Sequence, residues 1–205
     1  LKSEGKQFEK DFEDSCKKTD YYLLRLIDSV KWGQGEGSKF TPSNKCDSIL
    51  FTIPFLWMLE LKSTIGTSMS FNPYVEKDGE VISAPWIKPE NEKTKFMIKH
   101  NQVKSLMKME SEGLTPGFIF NFRERILKTK STPNQTYFVH IKDFIEYTKQ
   151  SETSSINAQI CKDIGVELEG YKKKVYYTYN IKEFVIKAIK FYTDKKYINS
   201  KYHFL

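Results

Sequence analysis

Nowhere does the sequence hold a run of about 18 apolar residues, the length a helix needs to cross a bilayer. Its first residues show no signal-peptide pattern, so a cytoplasmic protein is expected. Cysteine is scarce: Cys16, Cys46 and Cys161 are odd in number, far apart and lack C-x-x-C spacing, which argues against a disulfide framework or a zinc site. His100, His140 and His203 are equally scattered, so neither a histidine metal cluster nor a hydrolase triad is expected. Gly33, Gly35 and Gly37 mark a loop, but no Gly-Lys-Ser/Thr follows and no helix begins there, which excludes a phosphate-cradling P-loop. Internal repeats and long low-complexity tracts are absent.

What the chain does have is enough apolar content for a core, at 39% of 205 residues. One domain over residues 1–205 is expected, with a core of about 5–150 and residues 151–205 packed on it as a C-terminal extension. The formal charge of +7 favours a polyanionic partner, because Lys and Arg that neutralise phosphates release condensed counterions. Nucleic acid is the natural candidate. Lys99, Lys104 and Lys108 on one predicted helix, Arg123 and Arg125 beyond a strand, and the run Lys172 to Lys174 are the candidate contacts. A lysine run is more often a solvated face.

Cys46 to Ile53 and Phe55 to Lys62 are apolar-rich and separated by Pro54, so they read as two strands of a hairpin. Asp47 and Glu60 are about equidistant from the turn and therefore face each other across it. Alternation puts Glu60 and Lys62 on one face, with the Leu61 carbonyl between them. Mg²⁺ takes carboxylate, carbonyl and water oxygens, so Asp47, Glu60 and the Leu61 carbonyl form a possible ligand set. A nearby ammonium, Lys62, suits a reaction that builds negative charge on phosphate oxygens. The bland alternative is a salt-bridged hairpin, since E-x-K triplets are common on solvated faces.

Around this pair the periodicity predicts a helix over Lys6 to Lys18, with Phe8, Phe12 and Cys16 buried and Glu9 beside the stripe. A strand over Tyr21 to Ile27 follows. A helix over Phe96 to Glu110 puts Ile98, Gln102, Leu106 and Met109 on one side, so the Gln102 amide faces inward and needs a partner. Strands are predicted over Gly117 to Phe122 and Thr136 to Ile141, and helices over Lys142 to Gln150, Ile156 to Ile164 and Ile181 to Tyr192. Val175 to Tyr179 is β-prone, and its tyrosines read as core or interface rather than base-stacking groups.

Asp47 followed thirteen residues later by Glu-x-Lys resembles the PD-(D/E)xK nuclease core. Further blocks resemble the RecU family of Holliday junction resolvases: Gly5-Lys6-Gln7-Phe8-Glu9, Asp20 to Leu23, Thr67 to Asn72, His100 to Val103, Gly117 to Asn121 and Tyr137 to His140. The resemblance implies an α/β fold with a mixed central β-sheet flanked by helices. It implies a Mg²⁺-dependent endonuclease acting on four-way DNA junctions, with Mn²⁺ able to substitute, in a bacterial or phage-encoded protein. Two symmetric nicks in a four-way junction call for a homodimer. By the same resemblance Lys62 and Glu9 are catalytic, Asp47, Glu60 and Gln102 hold the metal, and Lys6, Thr67, Ser68, Lys99 and Lys104 touch DNA. There are departures. Lys45-Cys46 stands where the family carries threonines, only Lys31 to Lys45 is available for its stalk, and Asn72 to His100 is longer than the family's segment. Another PD-(D/E)xK endonuclease of restriction or repair type, or a DNA-binding protein with a degenerate site, are the alternative readings.

Overall fold

Phe8, Phe12 and Cys16 recur at helical spacing, and in the computed structural model, which describes residues 4–26, 44–72, 74–77, 80–83, 96–126 and 131–198, they form the buried stripe of α1 (Glu4–Cys16). There follow β1 (Tyr22–Arg25), β2 (Ser48–Thr52), β3 (Phe55–Thr64), β4 (Ser68–Ser70), β5 (Tyr74–Lys77), β6 (Glu80–Ser83) and α2 (His100–Ser111). The second half comprises β7 (Thr115–Phe122), β8 (Arg125–Ile126), β9 (Ser131–Thr132), β10 (Gln135–His140), α3 (Ile141–Gln150), β11 (Ser155–Asn157), α4 (Ala158–Ile164), β12 (Val166–Glu167), β13 (Gly170–Lys173), β14 (Tyr176–Tyr179) and α5 (Ile181–Asp194). Most of the Lys31 to Lys45 stretch, including Gly33 to Gly37, lies outside the described residues, as do Pro73, Gly79, Pro85 and Pro89.

The fold is mixed α/β, with a six-stranded sheet in the order β1-β2-β3-β7-β10-β12. Neighbours are antiparallel except β3 and β7, which run parallel. Alternation along β3 divides the core in two: Trp57, Leu59 and Leu61 pack with α1 and α5, whereas Met58 packs with α2 and α3 on the other face. Phe184 of α5 meets Trp57 and Phe138 at centroid distances of 6.2 and 5.8 Å. β7 is buried along its whole length, and a Cβ on its Gly117 would lie 2.5 Å from the Val139 carbonyl oxygen, so only glycine fits there. Among the described residues no helix is long and apolar enough to cross a membrane.

Most boundaries shift by one or two residues, and at two of them residues expected in a helix are extended instead. Ile98 is extended rather than helical: its N–H donates to the Ser70 carbonyl and its carbonyl accepts from Asn72 N–H. The helix starts at His100, where the Gln102 Oε1 accepts the Lys99 N–H at 3.0 Å and so ends the extended stretch. Val103, Leu106 and Met109 make the buried face, and Ile98 reaches the same cluster from outside the helix. Likewise Ile156 pairs with Met69 in the β11–β4 ladder, and α4 begins at Ala158 under the Asn157 side chain, which accepts the Ile160 N–H at 3.0 Å.

The C-terminal segment is tied to the N-terminal helix. Asp11 Oδ2 accepts the Tyr177 N–H at 2.9 Å and Ser15 Oγ the Tyr179 N–H at 3.0 Å. Tyr179 is buried as the sequence suggested, but Tyr176 is 44% exposed at the hairpin tip. One apolar row stays open to solvent: Tyr22, Phe51 and Leu56 pair directly across β1, β2 and β3, and are 64%, 37% and 40% exposed.

His140 is buried between Tyr192 and Tyr197, with its Nδ1 accepting the Lys142 N–H at 3.2 Å. Burial, reinforced by Lys142 and Lys195, pushes its pKa from 6.5 down to about 3. The unfolded chain takes up a proton below about 6.5 that the folded chain refuses, so the stability of the neutral, buried form is lost as pH falls from 6.5 toward 3. Asp143, raised chiefly by burial, acts in the opposite direction only nearer the carboxylate range. Urea unfolding at about pH 7 and about pH 5 is expected to show a loss of up to roughly 1.4 kcal/mol per pH unit. His140→Asn keeps an acceptor for Lys142 and is expected to flatten that dependence. An unchanged slope in the variant would assign it to other groups.

Candidate active site

Pro54 ends β2 and turns the chain into β3 in the register Ser48↔Leu59, which brings Asp47 beside Glu60 as the hairpin reading expected. The Asp47 main chain is held on both sides, donating to the Leu59 carbonyl at 3.0 Å and accepting from Leu26 N–H at 2.9 Å. Its Oδ2 accepts the Leu61 N–H at 2.7 Å. The side chain thus takes a ladder donor that β2 leaves unpaired, and it is anchored within a few ångströms of the Glu60–Lys62 backbone.

Glu60 and Lys62 alternate onto the α2 side of β3. Glu60 is only 3% exposed. Its Oε1 accepts from Lys62 Nζ at 2.9 Å and from the Gln102 amide nitrogen. A buried carboxylate is tolerable when its charge is hydrogen-bonded and paired, and Lys62 and Gln102 supply both. The Gln102 amide cannot usefully turn over, because its oxygen already holds the Lys99 N–H. The resemblance implied a metal ligand here. The observed amide presents nitrogen, and its visible role is to position Glu60.

Glu9 arrives from the opposite sheet face on α1. It is ion-paired with Arg25, whose guanidinium also lies 3.5 Å from Glu13. Burial raises the Glu9 pKa, Arg25 opposes the rise, and the negative charge of Asp47 adds to it, so Glu9 is electrostatically coupled to the Asp47 end of the hairpin. Lys6, exposed on the same helix, lowers it slightly. Cys46 feels the same field: burial first, then Glu60 and Asp47, push its thiol up to about 12, which leaves it inert. Cys16 is similarly raised to about 12 by burial.

The structure therefore brings Asp47, Glu60, Lys62 and Gln102 together, with Glu9 on the opposite sheet face and linked to them through the charge of Asp47. Lys99 caps α2 next to Gln102, and Lys104 is exposed on the outer side of that helix. Thr67 and Ser68 are exposed at the start of β4, whose backbone pairs with β11. Arg25 was not anticipated. A lone cation in the apolar run Tyr21 to Ile27, opposite a helix bearing Glu9 and Glu13, was its available signal. Among the described residues no three His, Cys, Asp or Glu side chains gather as a metal cage. The donor set present is two carboxylates and the Leu61 carbonyl, all hard oxygens concentrated around one buried negative charge. That composition fits Mg²⁺, which commonly uses one or two carboxylates and keeps several waters.

No protein-family model matches the chain. It is 30% identical over 201 residues, 92% of its own length and 88% of the other's, to the SPbeta prophage-derived uncharacterized protein YotM of Bacillus subtilis (strain 168). The chain belongs to the YotM family. Among solved structures it is similar to Archaeoglobus fulgidus Hjc, a Holliday junction resolvase from an archaeal hyperthermophile, at a TM-score of 0.44 and 13% identity, covering 80% of this chain and 95% of that one.

In this YotM-family protein the Glu9–Asp47 coupling is directly measurable. Without added divalent cation, Asp47→Asn keeps an acceptor for Leu61 N–H but removes a negative charge, and is expected to lower the Glu9 pKa. Arg25→Gln is expected to raise it. Carboxyl carbon shifts of Glu9 followed by NMR titration would read both, and a Glu9 pKa indifferent to either change would break the link between α1 and the hairpin.

Proposed function

We propose that the protein is a divalent-metal-dependent DNA endonuclease with a PD-(D/E)xK site, and that it resolves four-way junctions as a RecU-like homodimer. The observation that carries this reading is Asp47, bonded to the Leu61 backbone at the start of the hairpin, beside the hydrogen-bonded Glu60–Lys62 pair on β3, with Gln102 behind it. Mg²⁺ or Mn²⁺ held by Asp47, Glu60 and the Leu61 carbonyl would neutralise phosphate charge and lower the pKa of a bound water. The Lys62 ammonium, 2.9 Å from Glu60, stands ready to stabilise negative charge on the phosphate oxygens as the backbone bond breaks. Gln102 keeps Glu60 oriented, and Glu9, with its raised pKa, is the group suited to exchange a proton at the edge of the site. The Tyr22–Phe51–Leu56 row supports the homodimer, since an exposed apolar face is the kind of surface a second copy covers. Lys6, Thr67, Ser68, Lys99 and Lys104 are the proposed DNA contacts.

Cleavage of a labelled four-way junction and of a matched linear duplex, with Mg²⁺, with Ca²⁺ and with chelator, tests the proposal. Cutting is expected with Mg²⁺ or Mn²⁺ and not in chelator. Lys62→Ala is expected to bind DNA yet cut at least ~100-fold more slowly, the scale for losing one positioned charge. Equal cutting of duplex and junction would remove the resolvase assignment and leave another PD-(D/E)xK endonuclease. A second reading has an observation of its own: Asp47 caps Leu61 and Glu60 is satisfied by Lys62 and Gln102, which is also what a degenerate, purely structural site needs. DNA binding without cleavage under every metal condition would favour that reading.

For the dimer, sedimentation is expected to give twice the chain mass, and Phe51→Asp with Leu56→Asp to give a folded monomer. A wild-type monomer at all concentrations would end this part of the proposal.

A further inference from the structure

Several lysines are neutralised by a carboxylate partner. Lys17 pairs with Glu13, Lys142 with Glu110, Lys172 with Glu124, Lys182 with Asp20, Lys187 with Glu169 and Glu183, and Lys195 with Asp143. The Lys172 to Lys174 run therefore offers less charge than its sequence suggests. Among the described residues Lys45 and Lys104 form no ion pair, which is equally true of Lys99, Lys173 and Lys174, and Lys108 reaches Glu112 only at 4.0 Å; what sets Lys45, Lys104 and Lys108 apart is that they gather at one place.

These three lysines rim one cavity, of about 430 Å³, together with Asn101, Ser105 and Glu112, over an apolar floor that includes Met109 and Leu114. Asn101, Lys104, Ser105 and Lys108 follow each other at three- and four-residue spacing, so they form one stripe along the outer side of α2. One turn separates Lys104 from Lys108, roughly 6 Å along the axis, comparable with two nucleotide steps of about 3.4 Å each along a duplex axis. Glu112 closes the stripe at the C-terminal end, and its charge limits how far an anion extends that way. On the other wall Lys45 is two residues from Asp47, which places that wall of the groove next to the candidate site, while Lys104 lies on the outer side of α2, turned away from Gln102.

We propose that this groove holds the phosphodiester backbone of a nucleic-acid strand on one side of the Asp47–Glu60–Lys62 cluster. Lys45, Lys104 and Lys108 meet phosphates, and Asn101 and Ser105 supply neutral hydrogen bonds. The inference rests on the nuclease reading of that cluster and adds the path of the strand leaving it. The contacts reach phosphate and not base edges, so they hold a strand in register without selecting its sequence.

The test uses the full chain, in chelator so that the DNA stays intact, with a fluorescent four-way junction and a linear duplex as probes. Dissociation constants are measured over a series of salt concentrations for the wild type, for Lys45→Ala/Lys104→Ala/Lys108→Ala, and for Lys187→Ala as a control in which a paired lysine is lost. The triple variant is expected to keep its unfolding midpoint, bind both probes at least tenfold more weakly, and lose about 2 to 3 from its log–log salt slope, near 0.9 per phosphate contact. Lys187→Ala is expected to match the wild type. Arginine at the three positions is expected to restore the slope. If the wild type binds DNA and the triple variant keeps its slope, the groove is not the strand's path, while the nuclease reading stands. If the wild type binds neither probe, the reading on which the groove rests fails first, and the inference falls with it.

Discussion

Asp47 is fixed from three directions. Its carbonyl ties to β1 through Leu26, its N–H ties to β3 through Leu59, and its carboxylate takes the next donor along β3, Leu61. These bonds set the β2–β3 register at the end of the hairpin where it matters most. A slip of one residue would send Glu60 and Lys62 into the α1 and α5 core and turn Leu59 and Leu61 toward α2. The placement of the acidic and basic groups on one side, and the apolar residues Trp57, Leu59 and Leu61 on the other, is thus one event and not two.

The electrostatics follow from that placement. Glu60 is sunk in the sheet with its charge balanced at a single oxygen by an ammonium and an amide. Asp47 stays partly open at the mouth, and Glu9 is held off by Arg25 yet still feels Asp47. Three carboxylates stand near two cations, Lys62 and Arg25, so one net negative charge is left over. The opposing helices make the arrangement stiff: α1 is bolted by Phe8 and Phe12 to one face, and α2 by Val103 and Leu106 to the other.

The hairpin was legible in the sequence because alternation and Pro54 are local signals, and local spacing alone puts Asp47 opposite Glu60. α1 and α5 were legible for the same reason, through Phe8, Phe12 and Cys16 and through Phe184, Val185 and Ala188. The start of α2 was not. Ile98 fits the helical period but its backbone bonds to Ser70 and Asn72, a tertiary partnership that no window of sequence contains. Ile156 was drawn into β11 by β4 in the same way. The parallel neighbour β7 and the edge strand β12 depend on which segments meet in space. Arg25 and Lys45 acquire meaning only once Glu9 and α2 are placed beside them.

The bonds from Asp11 and Ser15 to the Tyr177 and Tyr179 backbone span more than 160 residues of chain. During synthesis α1 leaves the ribosome well before β14, the strand that receives it. Until β14 emerges, Asp11 and Ser15 lack these partners, and the helix that delivers Glu9 has only part of its seat. A growing chain can form the hairpin with Asp47 and Glu60 early, yet the helix that carries Glu9 gains its last backbone partners only once β14 has been made.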